Sequence, residues 1–187
     1  MKRSVFVLFI LALICVSSLG AFDGARKGFV LGGGVGFAAN AGWEFDDKLF
    51  DFIPVKASEN NGGGALNFFL GYAWDEKNMI AYEANVAGYS SDLFDQNITQ
   101  TFTGPEWCHY YGSTGKSIYT TVGLGLYIFD GENFDAFEPG PGLMLGGGYE
   151  FARHFQVGFN LAFGSISEAG VDVKLHHVSI LLNAVAF

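Results

Sequence analysis

His177 and Ser179 stand two apart, and in an extended strand two apart means one face. A histidine beside a serine is the base and nucleophile of acyl transfer, provided a carboxylate orients the imidazole. No acid follows Ser179, so the oriented third member would have to be Glu168 or Asp172, just upstream. Polar residues at the start of a strand account for the same pair without chemistry, and that reading outweighs catalysis. His176 and His177 are adjacent, which in a strand sends them to opposite faces and excludes a joint metal site. The expectation is therefore no catalytic, cofactor-binding or metal-ligating set.

Three further motifs lose their force in context. Gly115-Lys116-Ser117 matches the tail of a phosphate-binding loop, but Tyr110 occupies the position of its first glycine and the residues after Ser117 read as strand, so a hairpin turn is expected. Gly34, Gly36 and Ala39 match a dinucleotide fingerprint in letters only, because they lie inside an alternating run and not at a strand-to-helix turn. Asn97-Ile98-Thr99 is a glycosylation triplet in letters only.

The elements that would carry these residues are strands. From Phe155 to Phe163 every second residue is large and apolar (Phe155, Val157, Phe159, Leu161, Phe163), and Gln156, Gly158, Asn160 and Ala162 lie between them. Similar runs occupy 28–41, 64–74, about 80–87, about 97–111, 118–128, 142–151 and 177–187. In the fourth, Gly104 and Pro105 interrupt the pattern, and proline cannot donate to a ladder. The connections alternate: brief near 75–78, 112–116 and 152–154, longer near 42–63, 90–97, 130–141 and 165–176.

Lys2 and Arg3 precede an apolar run from Val5 to Val16, followed by the small residues of a signal peptidase site. The run is too short for a spanning helix, which needs roughly 20 residues. Residues 1–20 are therefore expected to be a signal peptide and 21–187 a single domain. Cys15 follows Leu13 and Ile14, where a lipoprotein signal requires small residues. Cleavage leaves eight basic against nineteen acidic side chains, moving the net charge from −9 to −11, which excludes a nucleic-acid partner. Only Cys108 would remain, so no internal disulfide is expected.

Strands greasy on one face and small or polar on the other, even in number, with short and long connections alternating, imply an all-β, eight-stranded antiparallel up-and-down transmembrane β-barrel. A sheet can cross hydrocarbon only when closed, because every backbone donor and acceptor must be paired. Glu83, Asn85, Glu150 and Asn160 then point into the lumen. The two carboxylates need partners there, with Lys116, Arg153 or lumen water available. Both chain ends fall on the periplasmic side. A soluble calycin-like barrel is the architectural rival; it would turn the apolar faces inward.

The signal peptide, the alternating strands, the segments VGLGLYIF (122–129) and LMLGGGYEF (143–151) and the terminal Phe187 resemble the small outer-membrane barrels of the OmpA transmembrane-domain and OmpX type. The resemblance covers residues 28–187 and implies the fold more than an activity. It implies a bacterial outer-membrane location, no peptidoglycan-binding domain after the barrel, and Phe187 read as an insertion signal by the barrel-assembly machinery. Phe187, Val185 and Leu181 are then expected to face lipid. Asn183 shares their parity, which requires a bulge or an interfacial position.

The outer loops hold Trp43, Asp46 and Asp47 in the first and Asp130 and Asp135 in the third, acids interleaved with aromatics. Such segments could hold divalent cations that bridge to lipopolysaccharide phosphates, or present an adhesive surface. The simpler reading is that the acids solvate the loops and the aromatics sit at the headgroup girdle. The expected function is a non-enzymatic, monomeric envelope protein, structural or interacting through these loops. Its partners would be outer-membrane lipid and lipopolysaccharide, with no cofactor. A narrow small-solute channel is the alternative, disfavoured because eight strands leave little lumen; a lipid A-modifying enzyme is the third.

Overall fold

The computed structural model describes residues 25–50, 53–92, 95–132, 137–168 and 171–187; at 40, 45–50, 53–57, 168, 171 and 172 it describes the backbone alone. The predicted signal segment lies outside these residues. Eight strands follow in order: β1 Gly28–Phe50, β2 Ile53–Ala73, β3 Asn78–Ser91, β4 Gln96–Tyr110, β5 Ser117–Gly131, β6 Gly140–Ala152, β7 Phe155–Glu168 and β8 Val171–Ala186. Each pairs antiparallel with the next, and β8 pairs with β1, so the sheet closes on itself. Closure leaves no row of unpaired backbone groups, the condition for crossing hydrocarbon.

The facing follows the period-two pattern. Phe159 on β7 is 43% exposed while its neighbour Asn160 is 6% exposed, and Leu66, Phe68 and Leu70 on β2 alternate in the same way with Asn67 and Phe69. The apolar residues that a soluble calycin-like barrel would bury are therefore outside. At the end with the short turns, Tyr72, Trp74, Trp107, Tyr111, Tyr149 and Phe151 stand outward, forming the aromatic band of a membrane interface.

The short turns are built from local chemistry. In the β2–β3 turn the Asp75 carboxylate accepts from the backbone N–H groups of Lys77 and Asn78, each at 2.7 Å. These bonds, led by those to the Asn78 side chain, hold its carboxyl below the ordinary range. In the β4–β5 turn Gly115 takes φ = +87°, a left-handed conformation that glycine adopts without a Cβ penalty. The Gly115-Lys116-Ser117 triplet is thus a hairpin turn, as expected.

Four expectations are corrected. Residues 42–63 and 165–176 do not form long loops: β1 continues to Phe50 and β2 begins at Ile53, and β7 continues to Glu168 and β8 begins at Val171. Trp43 is not a girdle residue but faces inward, because a bulge near Ala39 shifts the register between Ala38 and Ala41 and inverts the parity beyond it. On β8 the predicted facing is reversed: Leu181, Asn183, Val185 and Phe187 are buried inside, while Ile180 and Leu182 face outward. The segment is apolar on both faces near its end, and its parity is set by His177, Ser179 and Asn183, which all share the inner side. Asn183 therefore needs no bulge. Fourthly, Gly104 and Pro105 do not break β4. They leave only a gap in its pairing with β5, between Thr103↔Leu126 and Glu106↔Gly123, with the register unchanged.

Candidate functional site in the barrel interior

Large inward side chains occupy the space left by glycines on facing strands. A Cβ at Gly32 would lie 2.1 Å from the Phe69 ring, and one at Gly148 or Gly158 would lie 2.6 or 2.7 Å from the Tyr119 hydroxyl. The glycines are therefore floors on which Phe69 and Tyr119 rest. Two buried clusters result. One holds Trp43, Tyr89, Phe102, Tyr127, Phe129 and Met144, and the other Phe69, Met79, Tyr110, Tyr119 and Phe187. An eight-stranded barrel has room for side chains and little else.

A polar column runs through this packing. Gln100 donates from Nε2 to the Gly42 carbonyl (3.0 Å) and to the Tyr89 hydroxyl (2.8 Å), and its Oε1 accepts from the Tyr127 hydroxyl at 2.8 Å. His177 places Nδ1 2.5 Å from the Tyr127 hydroxyl and Nε2 2.9 Å from Asn85 Oδ1. Asn85 and Asn67 both donate to Glu83 Oε1, at 3.2 and 3.3 Å. Glu106 of β4 is buried on the same inner face, two residues from Gly104, the register partner of Glu83.

At the end that carries the β2–β3, β4–β5 and β6–β7 turns the column stops in a knot around Arg26, which is 1% exposed. Its guanidinium lies 3.5 Å from the centroid of the Tyr110 ring, donates to the Glu76 carbonyl and pairs with Glu150. Glu150 Oε1 also accepts from the Gly115 backbone at 3.0 Å. One arginine thereby joins the β2–β3 turn, β6 and, through Glu150, the β4–β5 turn.

The opposite end carries a different knot. The Glu59 carboxylate accepts from Asn61 Nδ2 (2.8 Å), the Asp92 backbone (2.8 Å), Trp43 Nε1 (3.2 Å) and the Ser91 hydroxyl. Partial burial pushes its carboxyl up, but these donors together outweigh burial and hold it below the ordinary range.

Of the residues singled out from sequence, Glu83, Asn85, Glu150 and Asn160 are all inward and buried. The partner of Glu150 is Arg26; Lys116 and Arg153 are both exposed. His177 and Ser179 share the inner face of β8, but Ser179 donates to Asn85 Oδ1 at 3.3 Å and both imidazole nitrogens face other groups. The side chains of Glu168 and Asp172 lie outside the described residues. Phe187 is 2% exposed, with its ring centroid 5.3 Å from that of His154. Asp130 is exposed on β5, whereas the side chains of Asp46 and Asp47 and all of Asp135 lie outside the described residues. Sequence reasoning missed Arg26, which precedes the first strand, and Glu106, which alternation through Pro105 would have found.

Residues 9–184 match the family described as the outer membrane protein beta-barrel domain. The chain belongs to this family. As an outer-membrane barrel it resides in the bacterial outer membrane. Neisserial surface protein A has a similar fold, with a TM-score of 0.54 at 12% identity over 84% of this chain and 97% of that one. So does the outer membrane protein OprG of Pseudomonas aeruginosa, with a TM-score of 0.53 at 14% identity over 87% of this chain and 98% of that one. A comparison with curated proteins returns no match.

Proposed function

We propose that this barrel is a non-enzymatic, monomeric envelope protein that acts through its extracellular face and does not conduct. The observation that carries the reading is the unequal length of the hairpins. β1 and β2 run 23 and 21 residues, whereas β3 to β8 run 13 to 16. About 9 to 11 tilted residues suffice to cross the bilayer, so the β1–β2 hairpin overhangs it as an arm. In sequence, residues 44–59 count five acids against two lysines, and Glu44 on the arm and Asp130 on β5 are exposed. The matching partners are lipopolysaccharide phosphates bridged by divalent cations, and surrounding lipid. During insertion the barrel-assembly machinery would read the last strand and Phe187.

Trypsin applied to intact cells should cut the arm at Lys48 or Lys56 and leave a heat-modifiable barrel. Purified protein should retain lipopolysaccharide with calcium and lose it on excision of 45–57. Stepwise currents in planar bilayers would support the narrow channel instead. An altered lipid A profile abolished by Ser179→Ala would support the enzyme.

A further inference from the structure

Across the seam of the barrel, Phe68 of β2, Gly33 of β1, Ala184 of β8 and Phe155 of β7 form a row along the hydrogen-bonding direction, each the register partner of the next. The two rings stand outward, 55% and 49% exposed. They are three strand spacings apart, roughly 14 Å, and the floor between them carries nothing larger than a methyl group. Toward the outer surface the outward-facing Val35 and Leu182 end the trough; toward the periplasm Leu31 and Ala186 continue it to His154. The groove is a shallow trough, open along its length, with about 570 Å³ of space between its walls, and it faces hydrocarbon.

The periplasmic rim carries an excess of cations in a chain whose net charge is −9, four against Asp75 and Glu76 among the described residues. Lys27 before β1, Lys77 in the β2–β3 turn, Lys116 in the β4–β5 turn and Arg153 in the β6–β7 turn are all exposed. Lys27 immediately precedes β1 and Arg153 lies two residues before Phe155, so these two flank the mouth of the trough. A trough left empty would deprive its lining of dispersion contacts, and two cations at headgroup level attract a phosphate.

We propose that this groove binds a glycerophospholipid of the periplasmic leaflet, one acyl chain lying between Phe68 and Phe155 and the phosphate held between Lys27 and Arg153. Lipopolysaccharide, confined to the opposite leaflet, does not reach it.

The test places the whole protein in nanodiscs of phosphatidylethanolamine and phosphatidylglycerol with a trace of phosphatidylglycerol bearing an acyl-chain diazirine. Labelled residues are mapped by mass spectrometry, and folding of each variant is checked by heat-modifiable mobility. Label should concentrate on Leu31, Phe68 and Phe155 over Leu124 on another face. Ala184→Phe, which fills the trough from outside, should abolish that concentration. Lys27→Ala and Arg153→Ala should each lower it about fivefold, the factor matching about 1 kcal/mol per basic side chain near an anionic surface, whereas Lys77→Ala and Lys116→Ala should leave it unchanged. Even labelling around the barrel, or undiminished labelling in Ala184→Phe, overturns the site. Equal labelling by a diazirine diacylglycerol, which lacks the phosphate, overturns the headgroup assignment.

Discussion

The two ends of the barrel each tie a carboxylate into a knot, and they do it by opposite means. At the floor, beside the β2–β3 and β4–β5 turns, Glu150 is buried and is met by the full charge of Arg26. At the opposite rim Glu59 is half-buried and is met by neutral donors from Trp43, Asn61, Ser91 and the Asp92 backbone. The difference follows from solvent. A carboxyl sealed from water must either keep its proton or meet an opposing charge, because desolvation costs several kcal/mol per ion. One that keeps partial contact with water is held well enough by oriented dipoles. The floor is therefore an ionic clasp and the rim a dipolar one, and they should fail differently.

Arg26→Ala offers the harshest way to break this contrast. It leaves Glu150 buried and unpaired, and should destabilise the refolded barrel by about 3 to 5 kcal/mol in urea titrations from lipid vesicles. Arg26→Met with Glu150→Leu should recover most of the loss. A loss no larger than that of Glu59→Gln would erase the distinction between the ends.

Between the knots the wall should answer to hydrocarbon alone. Phe159→Arg, on the outer face, should cost roughly 2 to 4 kcal/mol if it lies near the midplane, and Asn160→Ala, pointing inward, clearly less. Reversed penalties in the same titrations would mean the wall is inside out.

At the rim Glu59→Gln should cost only about 1 kcal/mol, the scale of a net hydrogen bond, and should loosen the contact between the β1–β2 arm and β3. Because the carboxyl sits lower in the folded protein than in the unfolded chain, its contribution is present above the ordinary glutamate range and is lost as pH falls through the lowered folded value. Amide exchange at Ser91 and Asp92 should accelerate over that acid interval in the wild type and stay flat in Glu59→Gln. The smallest effect belongs to Lys77→Ala on the exposed floor, expected within about 0.5 kcal/mol.

Much of this architecture was legible as alternation. Where one face is uniformly large and apolar, as at Leu66, Phe68 and Leu70 or at Phe155, Val157 and Phe159, parity alone determines which side meets lipid. It misled where both faces are apolar, as along Leu181, Leu182 and Val185, since the polar residues that decide the matter lie further upstream. It also failed past Ala39, because a bulge is an insertion and period-two counting has no term for it. The lumen acids were readable one at a time, but their partners were not: Arg26 is 124 residues from Glu150, and Tyr127 is 50 from His177. Such pairings come from the stagger of a closed sheet, which no local spacing encodes.

The bulge near Ala39 makes β1 a strand written in two frames. Below it odd-numbered residues meet the acyl chains; above it Trp43 turns in and Glu44 turns out. Deleting a single residue there would rotate the whole upper part of the strand by half a turn, presenting the indole to water and driving Glu44 into the interior. At this spot the gene should forgive a changed letter far more readily than a missing codon.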